Sequence, residues 1–170
     1  MKIYFSHGKE SGPWGSKIKR LADIAKTMGC DVDSVDYTDI MEPDLRVDRL
    51  LNILEKEQGD FALVGSSMGG YVSQVVSERV NATGVFLLAP ALYIPGYQCQ
   101  QYTKKSSILE IVHGWSDDVI PPEHSIRFAR EVKCSLHLID GDHRLNSSIN
   151  TVSILFEQFI RSILSGEGAR

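Results

Sequence analysis

Long apolar runs are missing from this 170-residue sequence, and no stretch approaches membrane-spanning length, so no transmembrane segment and no membrane partner is expected. The first residues, MKIYFSHG, lack the apolar block that follows a basic start in a secretory leader. They read instead as a strand running into a loop, and the expected location is the cytoplasm. Basic charge is in deficit: 18 Lys and Arg against 22 Asp and Glu leave a net charge of −4. A general nucleic-acid binder needs a basic face to neutralise phosphates, so that class is set aside. Cysteine is scarce and odd in number: Cys30, Cys99 and Cys134 form neither a CxxC pair nor a cluster with His at zinc spacing. They are expected to be free thiols packed as small hydrophobes, with no structural metal. Internal repeats and linkers are also lacking.

What is present is a regular alternation of strand and helix. Short apolar runs bounded by turn residues occur at 3–5, 32–37, 61–65, 84–89, 108–114 and 135–140. Helix-period segments separate them. Trp14, Ile18, Leu21, Ala25 and Met28 share one face, as do Val47, Leu50, Leu51 and Leu54, then Met68, Val72, Val75 and Val76. A long stripe follows near the end: Val152, Leu155, Phe156, Phe159, Ile160 and Ile163. Near-continuous apolar strands between amphipathic helices predict a parallel sheet covered on both faces. The expectation is one α/β domain over 1–165, a three-layer α/β/α sandwich with about six parallel strands, and a loose tail at 166–170. Residues 94–107, IPGYQCQQYTKKSS, have no clear period and are expected to form a loop near the site, with room for one short helix.

The stretch VGSSMGGY follows the third predicted strand directly. In an open parallel sheet, ligands gather beyond the carboxyl ends of the strands. Residues 65–69 match Gly-x-Ser-x-Gly with Ser67 at the centre. A nucleophile on a sharp strand-to-helix turn is pushed out of the sheet, and its neighbours must be small, as Gly65 and Gly69 are. Ser66 would sit one step early, packing beneath the turn. A serine hydroxyl also needs a base. Of five histidines, His143 in DGDHRL follows the last strand and can be carried over Ser67 by its loop. His113 and His137 fall in or at the end of strands, and His137 alternates between leucines as a structural or outward residue would. His124 is placed on an exposed helix, and His7 can shape the first loop. Asp117 and Asp118, just past the fifth strand, are candidates for the orienting acid. Asp140 and Asp142 lie too near His143 in sequence to reach the far side of its ring and are expected to form the turn. Two backbone amides complete the arrangement as oxyanion donors: Met68 N–H after the serine and Lys9 N–H in the first loop. The Lys9 side chain is expected to face solvent or to meet an anionic substrate.

Taken together, HG after the first strand, GSSMGG after the third, HGWSDDVIP after the fifth and GDH after the sixth resemble the α/β-hydrolase superfamily over essentially the whole chain. GSSMGGY is similar to the small YqiA-like esterases, although the acid segment is closer to general family members. The resemblance implies a minimal hydrolase fold without a cap domain, since 94–107 is too short for a helical lid. It also places the acid: with His113, Gly114 and Pro121 aligned, the aspartate falls on Asp117. The implied function is a serine esterase or thioesterase with the triad Ser67, Asp117 and His143, a small-molecule acyl substrate and no cofactor. Trp14, Tyr93 and Trp115, with Tyr97 and Tyr102, are candidates for an apolar wall around the acyl group.

Two other readings remain. One is a binding protein that keeps the triad without turnover, and another is a lyase or cofactor-free peroxidase on the same fold. A phosphate-binding P-loop fails by position: the pattern from Gly8 would need Gly at Pro13 and Lys at Trp14, and Gly70 is followed by Tyr71 rather than Lys.

Overall fold

The computed structural model describes residues 1–166. Six strands form one parallel sheet in the order β2-β1-β3-β4-β5-β6. They are β1 (Lys2–Ser6), β2 (Asp31–Val35), β3 (Phe61–Ser66), β4 (Gly84–Leu88), β5 (Ile108–Gly114) and β6 (Ser135–Ile139). Five helices connect and cover them: α1 (Ser16–Thr27), α2 (Pro43–Leu54), α3 (Met68–Ser77), α4 (Pro122–Val132) and α5 (Ile149–Ser165). This is the single-domain three-layer architecture that the alternation of periods predicts.

Strand side chains alternate between two cores, because successive residues point to opposite faces. Phe61 and Leu63 of β3 join a cluster with Val47, Leu50 and Leu54 of α2, Val72 and Val76 of α3, and Phe128 of α4. Ala62 and Val64 of the same strand face the other cluster, with Leu21 and Ala25 of α1 and Phe156, Phe159 and Ile160 of α5. Both faces of β3 are therefore apolar, which is why the central strands read as unbroken hydrophobic runs.

The strand order sets the position of the site. After β1 the chain steps outward to β2, then returns across β1 to add β3 on its other side. Loops leaving the carboxyl ends of β1 and β3 thus depart toward opposite faces and leave a crevice between them. Ser6 pairs with Gly65 in this register, so the β1 loop and the serine turn start side by side.

Two local expectations are corrected. Trp14 does not extend the face of α1: the helix begins at Ser16, and Trp14 stands in the preceding turn, 40% exposed. His124 of α4 is half-buried rather than exposed, with its Nδ1 bonded to the Leu92 carbonyl (2.7 Å). Residues 94–107 form the expected loop, without the short helix it had room for. Their anchors lie on α2 and at the C-terminal end of α3: Asp44 receives the Tyr71 hydroxyl (2.6 Å) and the Gln98 N–H (3.3 Å), and Glu78, which follows α3, receives the Thr103 N–H (3.1 Å) and hydroxyl (2.9 Å). Of the tail expected at 166–170, Gly166 caps α5 in a left-handed conformation (φ 70°), and 167–170 lie outside the described residues.

Close approach of α3 to the end of β1 demands glycine at position 69. A Cβ there would overlap the Ser6 carbonyl and approach the His7 carbonyl oxygen to 2.7 Å. Gly69→Ala should destabilise the protein by about 2 kcal/mol or more, because backbone cannot yield as a side-chain tip can. Urea denaturation measures this, and an unchanged midpoint would contradict the packing described.

Candidate active site

Ser67 follows β3 and precedes the first residue of α3. Its backbone sits at φ 55°, ψ −120°, a region that non-glycine residues rarely enter and one associated with stored strain at functional positions. The surrounding structure determines this conformation. The Ser67 N–H donates to Leu88 O (2.9 Å), and the Ser67 carbonyl receives the N–H groups of Gly70 (2.9 Å) and Ala91 (2.9 Å). Gly65 and Gly69 are in backbone contact across the turn, and a Cβ on Gly65 would overlap the Gly69 carbonyl. The hydroxyl is thereby turned out toward the carboxyl edge, with Ser66 beneath it in the strand.

His143 lies in the loop after β6. Its Nδ1 is 2.7 Å from Asp117 Oδ2, and its Nε2 is 3.0 Å from Ser67 Oγ. A carboxylate only accepts, so Nδ1 carries the hydrogen and Nε2 is free to accept from the serine hydroxyl. Three residues from three strand ends form one continuous chain: Ser67 O–H to His143 to Asp117. Lys17 of α1 ties down the loop from the side, donating through Nζ to the Arg144 carbonyl (3.0 Å). Burial lowers the Lys17 pKa to about 8, against the opposing pull of Asp142 and Asp117.

Asp117 is 7% exposed and has four donors. Oδ1 receives the N–H groups of Val119 (2.9 Å) and Ile120 (2.8 Å); Oδ2 receives His143 Nδ1–H and His113 Nε2–H (2.9 Å). Burial alone pushes the carboxyl up, but the Ile120 N–H, His143 and the Val119 N–H outweigh it and hold the group below the usual carboxylate range. His113 is fully buried, and its Nε2 also faces the Ile120 carbonyl (3.0 Å). Both acceptors require hydrogen on that nitrogen, which leaves Nδ1 to accept from the Ser125 hydroxyl (2.7 Å). Asp118, one residue on, is exposed on the outside of the turn. Asp142 Oδ1 caps the Leu145 N–H (2.9 Å), so it shapes the His143 loop.

The β1 loop meets this group from the opposite side. A Cβ on Gly8 would stand 3.5 Å from Ser67 Cβ. Neither the Met68 N–H nor the Lys9 N–H has a protein acceptor among the described residues. The Lys9 side chain is exposed. His7, fully buried, accepts the Tyr37 N–H at Nε2 (3.0 Å) and bonds the Gly8 carbonyl from Nδ1 (2.7 Å).

The expected acyl wall is rearranged. Trp14 and Trp115 are exposed at the carboxyl edge, 40% and 57%. Tyr93 offers no such surface: it is buried, its hydroxyl is bonded to Glu131 of α4 (2.6 Å), and the Arg127 guanidinium lies 3.9 Å from its ring centroid. Tyr102 is likewise buried, with its hydroxyl on the Cys99 carbonyl (2.9 Å). Sequence reasoning passed over Arg46, which is buried within α2. The signal was available, since 46, 50 and 54 fall on one helix face and Leu50 and Leu54 are core residues. It also undervalued His113, whose place four residues before Asp117 hides a direct contact.

Comparison with known proteins agrees with the architecture. Residues 1–148 match the uncharacterised protein family UPF0227. A Xanthomonas campestris protein described as a hydrolase of the α/β superfamily is 31% identical, with TM-score 0.85, over 95% of this chain and 98% of that one. Est1E from Butyrivibrio proteoclasticus, also solved with ferulic acid bound, has TM-score 0.84 at 19% identity over 96% of this chain and 88% of its own. A monoacylglycerol lipase from Paleococcus ferrophilus has TM-score 0.78 at 13% identity, over 95% and 94%. A comparison with curated proteins finds no match. The last two likenesses bear on fold alone.

Burial lowers the pKa of both His7 and His113, with Arg46 also acting against protonation of His7 and His143 against that of His113. Unfolded, both titrate near about 6.5. Their contribution to stability is therefore complete above that pH and is lost as pH falls below it, because the unfolded chain takes up protons that the fold resists. The melting temperature should fall between pH 7.5 and 5, and His113→Gln should reduce the slope. A melting temperature that rises on acidification would contradict these burial assignments.

Proposed function

Because the chain belongs to the uncharacterised protein family UPF0227 and has the α/β-hydrolase fold, we propose that it is a serine hydrolase that cleaves a small carboxylic ester or thioester. The observation that carries this reading is the unbroken chain from Ser67 Oγ through His143 to Asp117, at 3.0 and 2.7 Å. Ser67 Oγ attacks the carbonyl carbon while its proton passes to His143 Nε2. The Nδ1–H stays on the ring, where the ionised Asp117 stabilises the imidazolium without taking the proton. The charge that develops on the substrate oxygen is met by the N–H groups of Met68 and Lys9. Each donor contributes about 3 kcal/mol when removed singly from sites of this kind. The bond to the leaving alcohol or thiol then breaks, and His143 Nε2 returns the proton to it. Water, deprotonated by the same nitrogen, attacks the acyl-enzyme, releases the acid and restores Ser67.

Trp14 and Trp115 are proposed as the apolar contacts for the acyl group. Both are exposed, and the segment between β4 and β5 is anchored to α2 and α3. This favours short or protruding acyl groups over long chains. The setting is the cytoplasm, with a small-molecule substrate and no nucleic acid or membrane partner; no helix among the described residues is long and apolar enough to cross a membrane. Side chains and backbone amides suffice for each step, so no cofactor is invoked.

Ser67→Ala should abolish hydrolysis of p-nitrophenyl acetate, a loss on the order of a million-fold in kcat. Asp117→Asn should cost about ten-thousand-fold by fixing the wrong tautomer of His143. Asp118→Asn, outside the chain, should be close to wild type. Steady-state kinetics decide among them: a Ser67→Ala protein with wild-type turnover would refute the mechanism. A chain-length series of p-nitrophenyl esters tests the shape argument, which a strong preference for long acyl chains would overturn.

A further inference from the structure

Arg46 is the largest fully buried side chain, and no carboxylate pairs with it among the described residues. Asp39 is taken by Arg49 instead (2.6 Å). A buried guanidinium without an acid is costly unless its N–H groups find acceptors. Here the acceptors are all backbone carbonyls. Nε donates to Ile40 O (2.8 Å), Nη1 to His7 O (3.2 Å) and Gly8 O (3.2 Å), and Nη2 to Lys9 O (3.4 Å). Three of the four belong to consecutive residues of the loop that flanks Ser67.

The Gly8 carbonyl has a second donor. His7 Nε2 accepts the Tyr37 N–H, so its hydrogen is on Nδ1, which donates to Gly8 O at 2.7 Å. Two buried groups therefore hold this carbonyl. The peptide unit is planar and trans, so its N–H points opposite to its C=O. The N–H of the Gly8–Lys9 peptide is that of Lys9. With the carbonyl held toward Arg46, the amide is presented on the other side, where it has no protein acceptor. The peptide lies against the nucleophile, as the 3.5 Å from a Gly8 Cβ to Ser67 Cβ shows.

We propose that Arg46 is a positioning residue that sets the orientation of the Gly8–Lys9 peptide, so that the Lys9 N–H is aimed at the substrate oxyanion before substrate arrives. Arg46 touches no reacting atom. It acts by preventing a peptide flip that would turn the Gly8 carbonyl toward the developing negative charge. Arginine suits the task because one planar group reaches four carbonyls, which a lysine ammonium cannot do. The inference rests on the serine-hydrolase reading and assigns one of its two oxyanion donors a fixed support.

A matched pair of substrates reads this directly: a p-nitrophenyl ester and its thiono analogue, whose transition state places charge on sulfur, a weaker and larger acceptor. The wild-type protein should strongly prefer the oxygen ester. Arg46→Gln should lower kcat on the oxygen ester by about a hundred-fold with little change in KM, and should narrow the oxygen-to-sulfur preference at least several-fold. Arg46→Lys should recover only part of the loss. A folded Arg46→Gln protein with an unaltered preference overturns the proposal, even if it is less stable, because a purely structural role lowers both rates alike. If neither variant folds, the wild-type structure after reaction with a fluorophosphonate decides. The phosphonyl oxygen should lie within hydrogen-bond distance of Lys9 N with Gly8 O still on Arg46, and a Gly8 carbonyl turned toward the adduct would overturn it. Absence of wild-type ester turnover sinks the hydrolase reading and this proposal with it, whereas turnover with an unaltered preference sinks this proposal alone.

Discussion

The carboxylate of Asp117 holds together the parts of the site that come from β5 and β6. Buried and ionised, it must be matched by donors, and its four donors tie the turn after β5, the strand itself and the His143 loop to one group. The amides of Val119 and Ile120 shape the turn after β5. His113 Nε2 secures that turn to its own strand, and Ser125 of α4 secures His113. The fourth donor, His143 Nδ1–H, extends the order to Ser67. Loss of the charge would leave two imidazole N–H groups and two amides facing a weaker acceptor. The same interactions that keep the carboxyl ionised thus set the tautomer on which the proposed proton transfer depends.

A second network supports the other side of the crevice. The return of the chain from β2 across β1 to β3 brings the β1 loop against the serine turn. Glycines at 65 and 69 allow the backbones to meet. Arg46 and His7 then hold the loop by its carbonyls. Between these networks Ser67 keeps a positive-φ backbone that would be unfavourable in an isolated turn. Rigidity extends to the segment after β4, which Asp44, Tyr71 and Glu78 fasten to α2 and α3. The connection from β4 to β5 is bound down along its length, and the carboxyl edge is left open around Trp14 and Trp115.

Much of this was legible in the sequence because two periods and one topological rule carry it. Apolar runs such as 61–65 and 84–89 can be central strands of a parallel sheet, and ligating residues of such a sheet sit just past strand ends. Ser67, Asp117 and His143 each lie in the loop just past a strand's carboxyl end, so their approach to one edge follows from parallel direction. Side-chain burial inside loops was not legible. Tyr93 has the same local polarity as an exposed tyrosine, and only the approach of Glu131 and Arg127 of α4 shows that it is committed to packing. Arg46 reads as one more charge on a surface helix until its register with Leu50 and Leu54 is considered. His113 is a strand residue whose contact with Asp117 depends on the turn that follows, and periodicity does not describe turns.

In the proposed mechanism Ser67 alone is activated by this arrangement. The most direct measurement of this is peptide mapping by mass spectrometry after reaction with a fluorophosphonate. A single adduct is expected on Ser67, lost when His143 is replaced by alanine. An adduct on Ser66 or another hydroxyl, or an unmodified folded protein after exhaustive treatment, would contradict it.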